Sequence, residues 1–322
     1  MASVDVAIPC YKHGRFLRDC VRSVLDQGIE DLRILVIDNA STDDSVEVAR
    51  RLADEDSRVQ VAAHAVNLGP HASFNEGVDW AEADYFMVLC SDDALTPGSL
   101  PRMLAVMESK PDVSFAYGTD VHVGGGADEV YIGLSESAWR WRLCAGGAFI
   151  EARCRNPARY IAAGMVLVRT SAQKAAGHYR SELPHTDDFE MLLRLASLGQ
   201  VARTEAVVGI KRMHGDNRTL DFLLASRTRD LVERLAAFDS FFGREGSKLP
   251  DAGRLHDLGR RSVAERAYWC GIKDLLRGRA GGVEFLRLAF HLDQRLMVLP
   301  PVGYLSRTDR GLADSVRGVL LP

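Results

Sequence analysis

The chain has 322 residues, about two typical domains, with 47% hydrophobic, 26% charged and 7% aromatic residues. These values are close to globular averages and exclude disordered, collagen-like and coiled-coil proteins. Residues 221–322 hold 17 Lys and Arg against 13 Asp and Glu, so the net charge of −4 divides into about −8 before this tail and +4 within it. An acidic first part is a poor match for nucleic acid, whereas a basic tail leaves a peripheral membrane contact open.

The chain carries no predicted membrane or metal-thiolate element. Its six cysteines form no CxxC pair and no Cys/His zinc spacing, so we expect most of them to be small buried residues. Asp5 stands where a signal peptide would be positive, and no run of about 18 apolar residues occurs. We therefore expect a cytoplasmic protein with reduced thiols and no transmembrane segment.

The first hundred residues alternate short β-rich runs with amphipathic helical runs. The predicted strands are Val4–Ile8, Leu32–Ile37, Arg58–Ala63 and Tyr85–Cys90. The predicted helices are Arg15–Gln27, one capped by Ser41 or Thr42, His71–Trp80, and one capped by Thr96 with Pro97 at its first position. Four βα units in succession predict an α/β fold with a doubly wound, mostly parallel sheet. Such sheets bind ligands beyond the carboxyl ends of their strands.

The remainder of the chain is less regular and ends in helices. Predicted elements are a strand at Asp112–Tyr117, a strand at Met165–Val168, a helix at Phe189–Ser197, a strand at Val207–Ile210, and an αα-hairpin of Ala264–Leu276 and Val283–Leu292. We expect residues 1–219 to form the α/β domain and residues 220–322 to form a helical C-terminal region. That region is interpreted as a cap on the domain, with a homo-oligomer contact or a membrane contact as the alternatives.

Polar residues follow three of the predicted strands. Asp92 and Asp93 follow the fourth strand, and two adjacent carboxylates repel each other unless a cation is near, which suits a hard divalent ion. Asp38 ends the second strand and can accept an N–H from a nucleobase. Pro9 is expected to end the first strand, and Tyr11 offers a ring for a base to stack on. Each feature alone also fits an ordinary turn, but the three strand ends face one crevice.

Two common nucleotide-binding patterns are missing from the sequence. No G-x-G-x-x-G follows the first strand, and no G-x-x-x-x-G-K-[ST] occurs, which excludes dehydrogenase and P-loop interpretations. The sequence instead resembles the family 2 glycosyltransferases with the GT-A fold over roughly residues 4–217. The segments that carry the resemblance are Pro9-Cys10-Tyr11, Val36 to Asp43, Asn67-Leu68-Gly69 with Asn75-Glu76-Gly77, Ser91-Asp92-Asp93, and Thr186 to Glu190.

The resemblance implies a nucleotide-sugar-binding and catalytic domain at residues 1–219. By this resemblance Tyr11 and Asp38 hold the nucleobase, and Pro9 and Asn67 belong to the same nucleotide site. UDP is the favoured nucleotide. Many family members carry an Arg near the position of His64, so one base or phosphate contact differs here.

The resemblance also implies a bound Mn²⁺ or Mg²⁺. Asp93 would bind the ion that bridges the diphosphate, and Asp92 would lie nearer the ribose or sugar. His214, in the basic segment Lys211 to Asn217, would complete the metal shell or touch the diphosphate; a solvated basic turn is the alternative. Many members have an acid where this chain has Cys90, so one carboxylate is missing.

Catalysis in the family depends on an acidic motif that matches Asp187 and Asp188. Asp188 would be the general base, kept ionised by the dipole of the helix it begins, and Asp187 would cap that helix. Trp139, Arg140, Trp141 and Arg142 lie where the acceptor region would fall, and a sugar-stacking role, a core role and an interface role are equally compatible with them.

The predicted function is transfer of a sugar, with inversion, from a nucleotide diphosphate donor to a saccharide or glycoconjugate acceptor in surface polysaccharide or glycoconjugate biosynthesis. One alternative is a nucleotidyltransferase that forms sugar nucleotides, although the segment from Pro9 to Gly14 lacks the glycine-rich basic loop that a triphosphate needs. The other is a non-catalytic nucleotide-sugar-binding scaffold.

Overall fold

The computed structural model of the protein describes residues 2–124, 139–159, 161, 163–215 and 228–305. The predicted domain boundary after residue 219, the predicted start of the helical region at Leu220, and Asp216 and Asn217 of the basic segment lie outside these residues.

The described residues form one mixed sheet. Its strands are β1 Val4–Cys10, β2 Leu32–Asp38, β3 Val59–Ala63, β4 Tyr85–Val88, β5 Ala94–Leu95, β6 Val113–Gly124, β7 Arg142–Cys144, β8 Leu167–Arg169 and β9 Gln200–Met213. Their order is β3-β2-β1-β4-β8-β6-β9-β5, and β7 pairs with β9. Neighbours in β3-β2-β1-β4 and in β6-β9 are parallel, whereas β8, β5 and β7 pair antiparallel. This arrangement confirms the predicted α/β class with a mostly parallel sheet.

The helices of the described residues are α1 Gly14–Leu25, α2 Ser45–Glu55, α3 Pro70–Trp80, α4 Ser99–Ser109, α5 Gly146–Arg155, α6 Thr170–Ala176, α7 Asp187–Ala196, α8 Arg229–Phe242, α9 Ala252–Leu276, α10 Gly282–Leu292 and α11 Val302–Leu305. Buried residues of α1, α2 and α4 belong to the core cluster on one face of the sheet, and Val78 of α3 belongs to the cluster on the other face. Along β1, Val6 and Ile8 belong to one core cluster and Ala7 to the cluster on the other face. Burial on both faces explains why β1 and β2 read as continuous apolar runs.

Pro9 does not end β1, as the sequence had suggested. The strand continues to Cys10, with Pro9 paired with Ile37 and Cys10 with Asp38. The Ala7 carbonyl accepts a hydrogen bond from the Leu89 N–H, so the backbone of Ala7 faces β4. The backbone nitrogen of Pro9, two residues later, faces the same side, but the β1–β4 pairing has already ended at Ala7. The missing N–H of Pro9 therefore costs no hydrogen bond between strands.

Two helices begin later than predicted. Helix α2 starts at Ser45, because Ala40 adopts a left-handed φ of 59° and the hydroxyl of Ser41 accepts a bond from the Lys12 N–H instead of capping a helix. Helix α4 starts at Ser99. Thr96 donates its hydroxyl to the Val207 carbonyl at 2.8 Å, which ties the preceding residues to β9 and forms the unpredicted strand β5.

The chain divides into two compact units. Unit 1 comprises residues 1–146, 161–181 and 198–215 and contains the sheet. Unit 2 comprises residues 147–160, 182–197 and 216–322, and its described part is helical. Within unit 2, α9 and α10 form the predicted αα-hairpin. Among the described residues, no helix is both long and apolar enough to span a membrane.

Candidate functional site

The carboxyl ends of β1 and β2 in unit 1 form one edge of the candidate site. The Asn39 N–H donates to the Cys10 carbonyl at 2.9 Å, which holds the two strand ends side by side. Lys12 and Ala40, in the loops that leave these strands, both have left-handed φ values, 58° and 59°. Such conformations cost energy in residues with a Cβ and are concentrated at functional sites.

Asp38 presents a buried acceptor at this edge. Its Oδ2 accepts a hydrogen bond from the Ser41 N–H at 2.9 Å, whereas Oδ1 has no hydrogen-bond partner among the described residues. A buried acceptor without a donor costs about 1–3 kcal/mol, so an N–H supplied by a ligand would be favourable there. Tyr11, next to Cys10 in the chain, is 41% exposed and so has a ring face open to stacking.

A hydrogen-bonded network fixes the loop after β3. Asn39 donates to Asn67 at 3.1 Å and accepts from the Leu68 N–H at 2.9 Å. His64 lies 3.0 Å from Asn39 through Nδ1 and 2.6 Å from Glu76 through Nε2. The structure thus joins Asn67 to Asn39 beside Asp38, and it gives His64 and Glu76 a positioning role that sequence reasoning missed.

Asp92 lies between two histidines. Nε2 of His214 is 3.1 Å from Asp92 Oδ2, and Nδ1 of His13 is 3.9 Å from Asp92 Oδ1. His214 approaches Asp92 because β9 pairs antiparallel with β5, the strand that directly follows Asp93, with Ala94 opposite Ile210. Burial lowers the pKa of His13 below its ordinary value, partly opposed by Asp92. The sequence had assigned His214 to this site but gave no role to His13.

Asp93 points to a different neighbour. Its Oδ1 accepts the Arg212 N–H at 3.1 Å, and the Arg212 guanidinium donates to the Asp92 carbonyl at 3.3 Å. Burial, together with the charge of Asp92, raises the pKa of Asp93 to about 7. Two buried carboxylates this close carry unfavourable negative charge, which a cation would relieve.

The donor atoms at this site fit a divalent metal ion. Two groups have ligand atoms within 4.8 Å of one another, namely His13, Asp92 and His214, and Cys90, Asp92 and Asp93. Carboxylate oxygens suit Mg²⁺ and Mn²⁺, and imidazole nitrogens suit transition metals. Asp92 belongs to both groups, so it, rather than Asp93, is the central ligand candidate.

The acidic motif lies in unit 2, at the start of α7. Thr186 occupies the N-cap position and the helix begins at Asp187, so Asp187 is not the cap that the sequence suggested. Asp188 accepts a bond from the Phe189 N–H at 2.5 Å. Burial and the charge of Asp187 raise the pKa of Asp188 to about 6.

A second acid in unit 2, Asp230, has its carboxylate form stabilised by two neighbouring side chains. Arg234 donates to Asp230 at 3.0 Å, and Nε2 of His185 lies 3.4 Å from the same carboxylate. Burial alone would raise the pKa of Asp230, but the bonds from His185 and Arg234 hold it well below its ordinary range. Arg234 and His185 also lower the pKa of Asp188. The sequence gave no signal for this group, because its members become neighbours only through the packing of α7 and α8.

The aromatic pair of the predicted acceptor region is half-buried. Trp139 and Trp141 pack against the core of unit 1, with ring centroids 6.3 Å apart, and the guanidinium of Arg102 lies 5.0 Å from the centre of the Trp139 ring. Arg140 and Arg142 are exposed. A core role therefore accounts for much of the tryptophan surface.

Comparisons of the sequence with known proteins give a consistent picture. Residues 5–164 match the family model described as Glycosyl transferase family 2. The chondroitin synthase of Pasteurella multocida is 24% identical over 229 residues, which cover 71% of this chain and 22% of that protein. An uncharacterized glycosyltransferase of Haemophilus influenzae is 32% identical over 107 residues, which cover 33% of this chain and 43% of that protein. The chain covers less than half the length of either relative.

Solved structures share the fold. TarS 1-349 of S. aureus, in complex with UDP-GlcNAc, matches with a TM-score of 0.58 at 13% identity, over 98% of this chain and 81% of that chain. The mannosyltransferase PcManGT from Pyrobaculum calidifontis, in complex with GDP-Man and Mn²⁺, matches with a TM-score of 0.55 at 13% identity, over 99% and 86%. At these identities the likeness shows the fold alone, and it confirms the predicted fold class.

Proposed function

Residues 5–164 of this chain belong to glycosyl transferase family 2, and from this premise we propose that the protein transfers a sugar from a nucleotide diphosphate sugar to a hydroxyl acceptor. The observation that carries the proposal is the composition of the carboxyl edge of the sheet in unit 1. Asp38 offers a buried acceptor there, and Asp92 offers a carboxylate between two imidazoles. The first suits a nucleobase, and the second suits a cation that neutralises a diphosphate.

We propose UDP as the nucleotide of the donor. One oxygen of Asp38 is occupied by the Ser41 N–H, which leaves Oδ1 for the ligand. Uracil presents a single ring N–H, whereas guanine presents two donors side by side, so one remaining oxygen matches uracil better. The structure of TarS contains UDP-GlcNAc, whereas that of PcManGT contains GDP-Man. An experiment on this protein should therefore compare UDP sugars with GDP sugars.

We propose that Asp92, Asp93 and His214 hold Mn²⁺ or Mg²⁺. When bound, the ion supplies positive charge to the diphosphate as it leaves. The chain itself adds Arg212, whose guanidinium is fixed by the Asp92 carbonyl and by Asp19. Because Asp92 belongs to both groups of ligand atoms, its loss should affect metal binding most.

Asp188 is the proposed general base. Direct displacement inverts the anomeric carbon and requires the acceptor hydroxyl to lose its proton as it attacks from the side opposite the diphosphate. A base with a pKa of about 6 is ionised at pH 7 and is more basic than an ordinary carboxylate. Asp187 contributes by raising that pKa, which gives it a role in catalysis without contact with the substrate.

The proposed biological role is assembly of a surface polysaccharide or glycoconjugate. The similarity to the chondroitin synthase of Pasteurella multocida supports a saccharide acceptor. A non-catalytic nucleotide-sugar-binding scaffold is the second candidate, because Cys90 replaces an acid that many members carry. The presence of both Asp187 and Asp188 at the acidic motif argues against the scaffold.

Release of nucleotide from UDP, GDP and dTDP sugars, with and without Mn²⁺, tests the proposal. We expect turnover with UDP sugars and none from the variant Asp188→Asn, which should still bind the donor. Tight donor binding without any turnover would favour the scaffold. Incorporation of a nucleoside triphosphate into a sugar nucleotide would favour the nucleotidyltransferase.

A further inference from the structure

The loop between β1 and α1 places the imidazole of His13 beside the proposed metal ligands. The sequence analysis gave this histidine no role. Nδ1 of His13 is 3.9 Å from Asp92 Oδ1, while Nε2 of His214 is 3.1 Å from Oδ2 of the same carboxylate. Each oxygen of Asp92 therefore faces one histidine. The ligand atoms of the three residues lie within 4.8 Å of one another.

Neighbouring side chains fix the orientation of His13. Nδ1 lies 2.9 Å from the hydroxyl of Ser91, and the ring stands at 89° to that of His214 with centroids 5.3 Å apart. Phe16 contacts both rings, at 6.1 Å from His13 and 4.9 Å from His214. His13 occupies the N-cap position of α1, but its side chain makes no capping bond. Helix capping therefore does not explain this histidine.

The distances from Asp92 to the two histidines are compatible with one shared ion. Two ligands that are each about 2.1 Å from a metal lie at most about 4.2 Å apart, and the distances of 3.9 Å to His13 and 3.1 Å to His214 are within that limit. Imidazole nitrogen is a ligand for first-row transition ions, whereas Mg²⁺ prefers oxygen and keeps several waters. A site with two imidazole ligands therefore favours a transition ion over Mg²⁺.

We propose that His13 is a further ligand of the metal beside the ligands proposed above, so that two imidazoles, from His13 and His214, join Asp92 in a site that takes Mn²⁺ in preference to Mg²⁺. This inference rests on the proposed function only for the role of the ion, which is to hold the diphosphate of the donor. Nδ1 of His13 is hydrogen-bonded to the Ser91 hydroxyl in the structure, and the ion would replace that hydroxyl as the partner of Nδ1.

Metal binding to the full chain tests this proposal without any measurement of transfer. We expect His13→Asn to weaken Mn²⁺ binding by at least about 10- to 100-fold, the range for loss of a residue that only orients a ligand, with a smaller effect on Mg²⁺. Wild-type affinity should increase from Mn²⁺ to Co²⁺ to Ni²⁺. His178→Asn is the matched control, because His178 is exposed and pairs with Asp79. Unchanged Mn²⁺ affinity in folded His13→Asn would overturn the proposal.

Pulsed electron paramagnetic resonance of bound Mn²⁺ gives a second readout, which in the wild-type protein needs no variant. We expect the Mn²⁺ electron spin to couple to two imidazole nitrogens in the wild type, and to one in His13→Asn if that variant folds. A single coupled imidazole in the wild type would overturn the role of His13 even if the variant failed to fold. Two coupled imidazoles in a protein that releases no sugar would instead refute the proposed function and leave the site standing.

Discussion

One carboxylate oxygen, Oδ1 of Asp38, limits which nucleobase the proposed donor can carry. Removal of the side chain by Asp38→Ala leaves a base N–H without its acceptor, which costs about 1–3 kcal/mol. We therefore expect the affinity for UDP to fall about 5- to 150-fold in calorimetric titration. Affinity for GDP should be weak in the wild-type protein and change less.

The exposed Asp54 near the end of α2 provides the control for this substitution. Asp54→Ala removes the same charge from the same unit and should leave UDP affinity unchanged. If Asp38→Ala is folded and binds UDP as tightly as the wild type, the nucleobase does not contact Asp38.

Replacement of Asp188 is expected to lower the rate of transfer but to raise stability. Because its pKa is raised to about 6, the rate of transfer should fall as the pH decreases through 6 and the base becomes protonated. Asp188→Asn should lower the rate about 10²- to 10⁴-fold with little change in donor affinity. A measured rate that is flat between pH 5 and pH 8 contradicts the assignment.

The same raised pKa implies a cost to folding. In the unfolded chain the pKa of Asp188 is near its ordinary value of 3.8, whereas in the folded chain it is about 6. Between these pH values the folded chain keeps the carboxyl proton that the unfolded chain has lost. The contribution of the carboxyl group to stability is complete below about pH 4 and is lost as the pH rises through 6. Asp188→Asn should therefore increase the free energy of unfolding above pH 6 relative to wild type, and less at pH 4. Denaturant unfolding at both pH values measures this difference.

At the scale of elements, α3 packs on β1 because one residue has no side chain. A Cβ on Gly77 would lie 2.5 Å from the Cβ of Ala7, which is buried in a central strand. Gly77→Ala should thus force the helix from the sheet and destabilise the protein by about 1–3 kcal/mol in thermal unfolding. Gly253→Ala in α9 is the control, because nothing lies within 4 Å of its Cβ and alanine favours helix by about 1 kcal/mol. Equal effects of both substitutions would show that the contact does not matter.

The elements that the sequence predicted well are those fixed by local pattern. The apolar spacing of Phe16, Leu17, Cys20, Val21 and Val24 determines the buried face of α1, and the near-continuous apolar runs determine β1 and β2. The late start of α2 was missed because the Ser41 hydroxyl binds Lys12, from another loop. His13 was missed for a similar reason, since its meaning depends on His214, which reaches it only through β9. Contacts between distant segments leave no periodic signal.

At the scale of the molecule, several cations of the basic tail are paired with acidic side chains. In the part of unit 2 that the structure describes, Arg260 pairs with Asp239, Arg254 with Glu151 and Arg295 with Asp293. Cations paired in this way attract anionic lipid weakly. We therefore expect a salt wash to release the protein from anionic vesicles in a sedimentation assay. Retention on the vesicles at high salt would show an anchor.

Nucleotide and metal together should stabilise the whole protein, because the proposed ligands come from segments far apart in the sequence. Asp38 ends β2, whereas Asp92 and His214 follow β4 and β9, and a ligand that binds only this folded arrangement shifts unfolding by mass action. At 100 times its dissociation constant, UDP with Mn²⁺ should add about 2.7 kcal/mol to the free energy of unfolding. In EDTA, UDP should stabilise less and sugar transfer should stop.

The variant Asp92→Asn distinguishes the stabilisation by the metal from the stabilisation by the nucleotide. The variant should respond to UDP alone as the wild type does and should lose the additional stabilisation by Mn²⁺, because an amide is a poorer metal ligand than a carboxylate. Glu55→Gln, at an exposed acid on α2 that pairs with Arg18, should retain the full response. Equal stabilisation by UDP in Mn²⁺ and in EDTA, with transfer unaffected by the chelator, would remove the metal from the mechanism and leave charge neutralisation to cationic side chains such as Arg212.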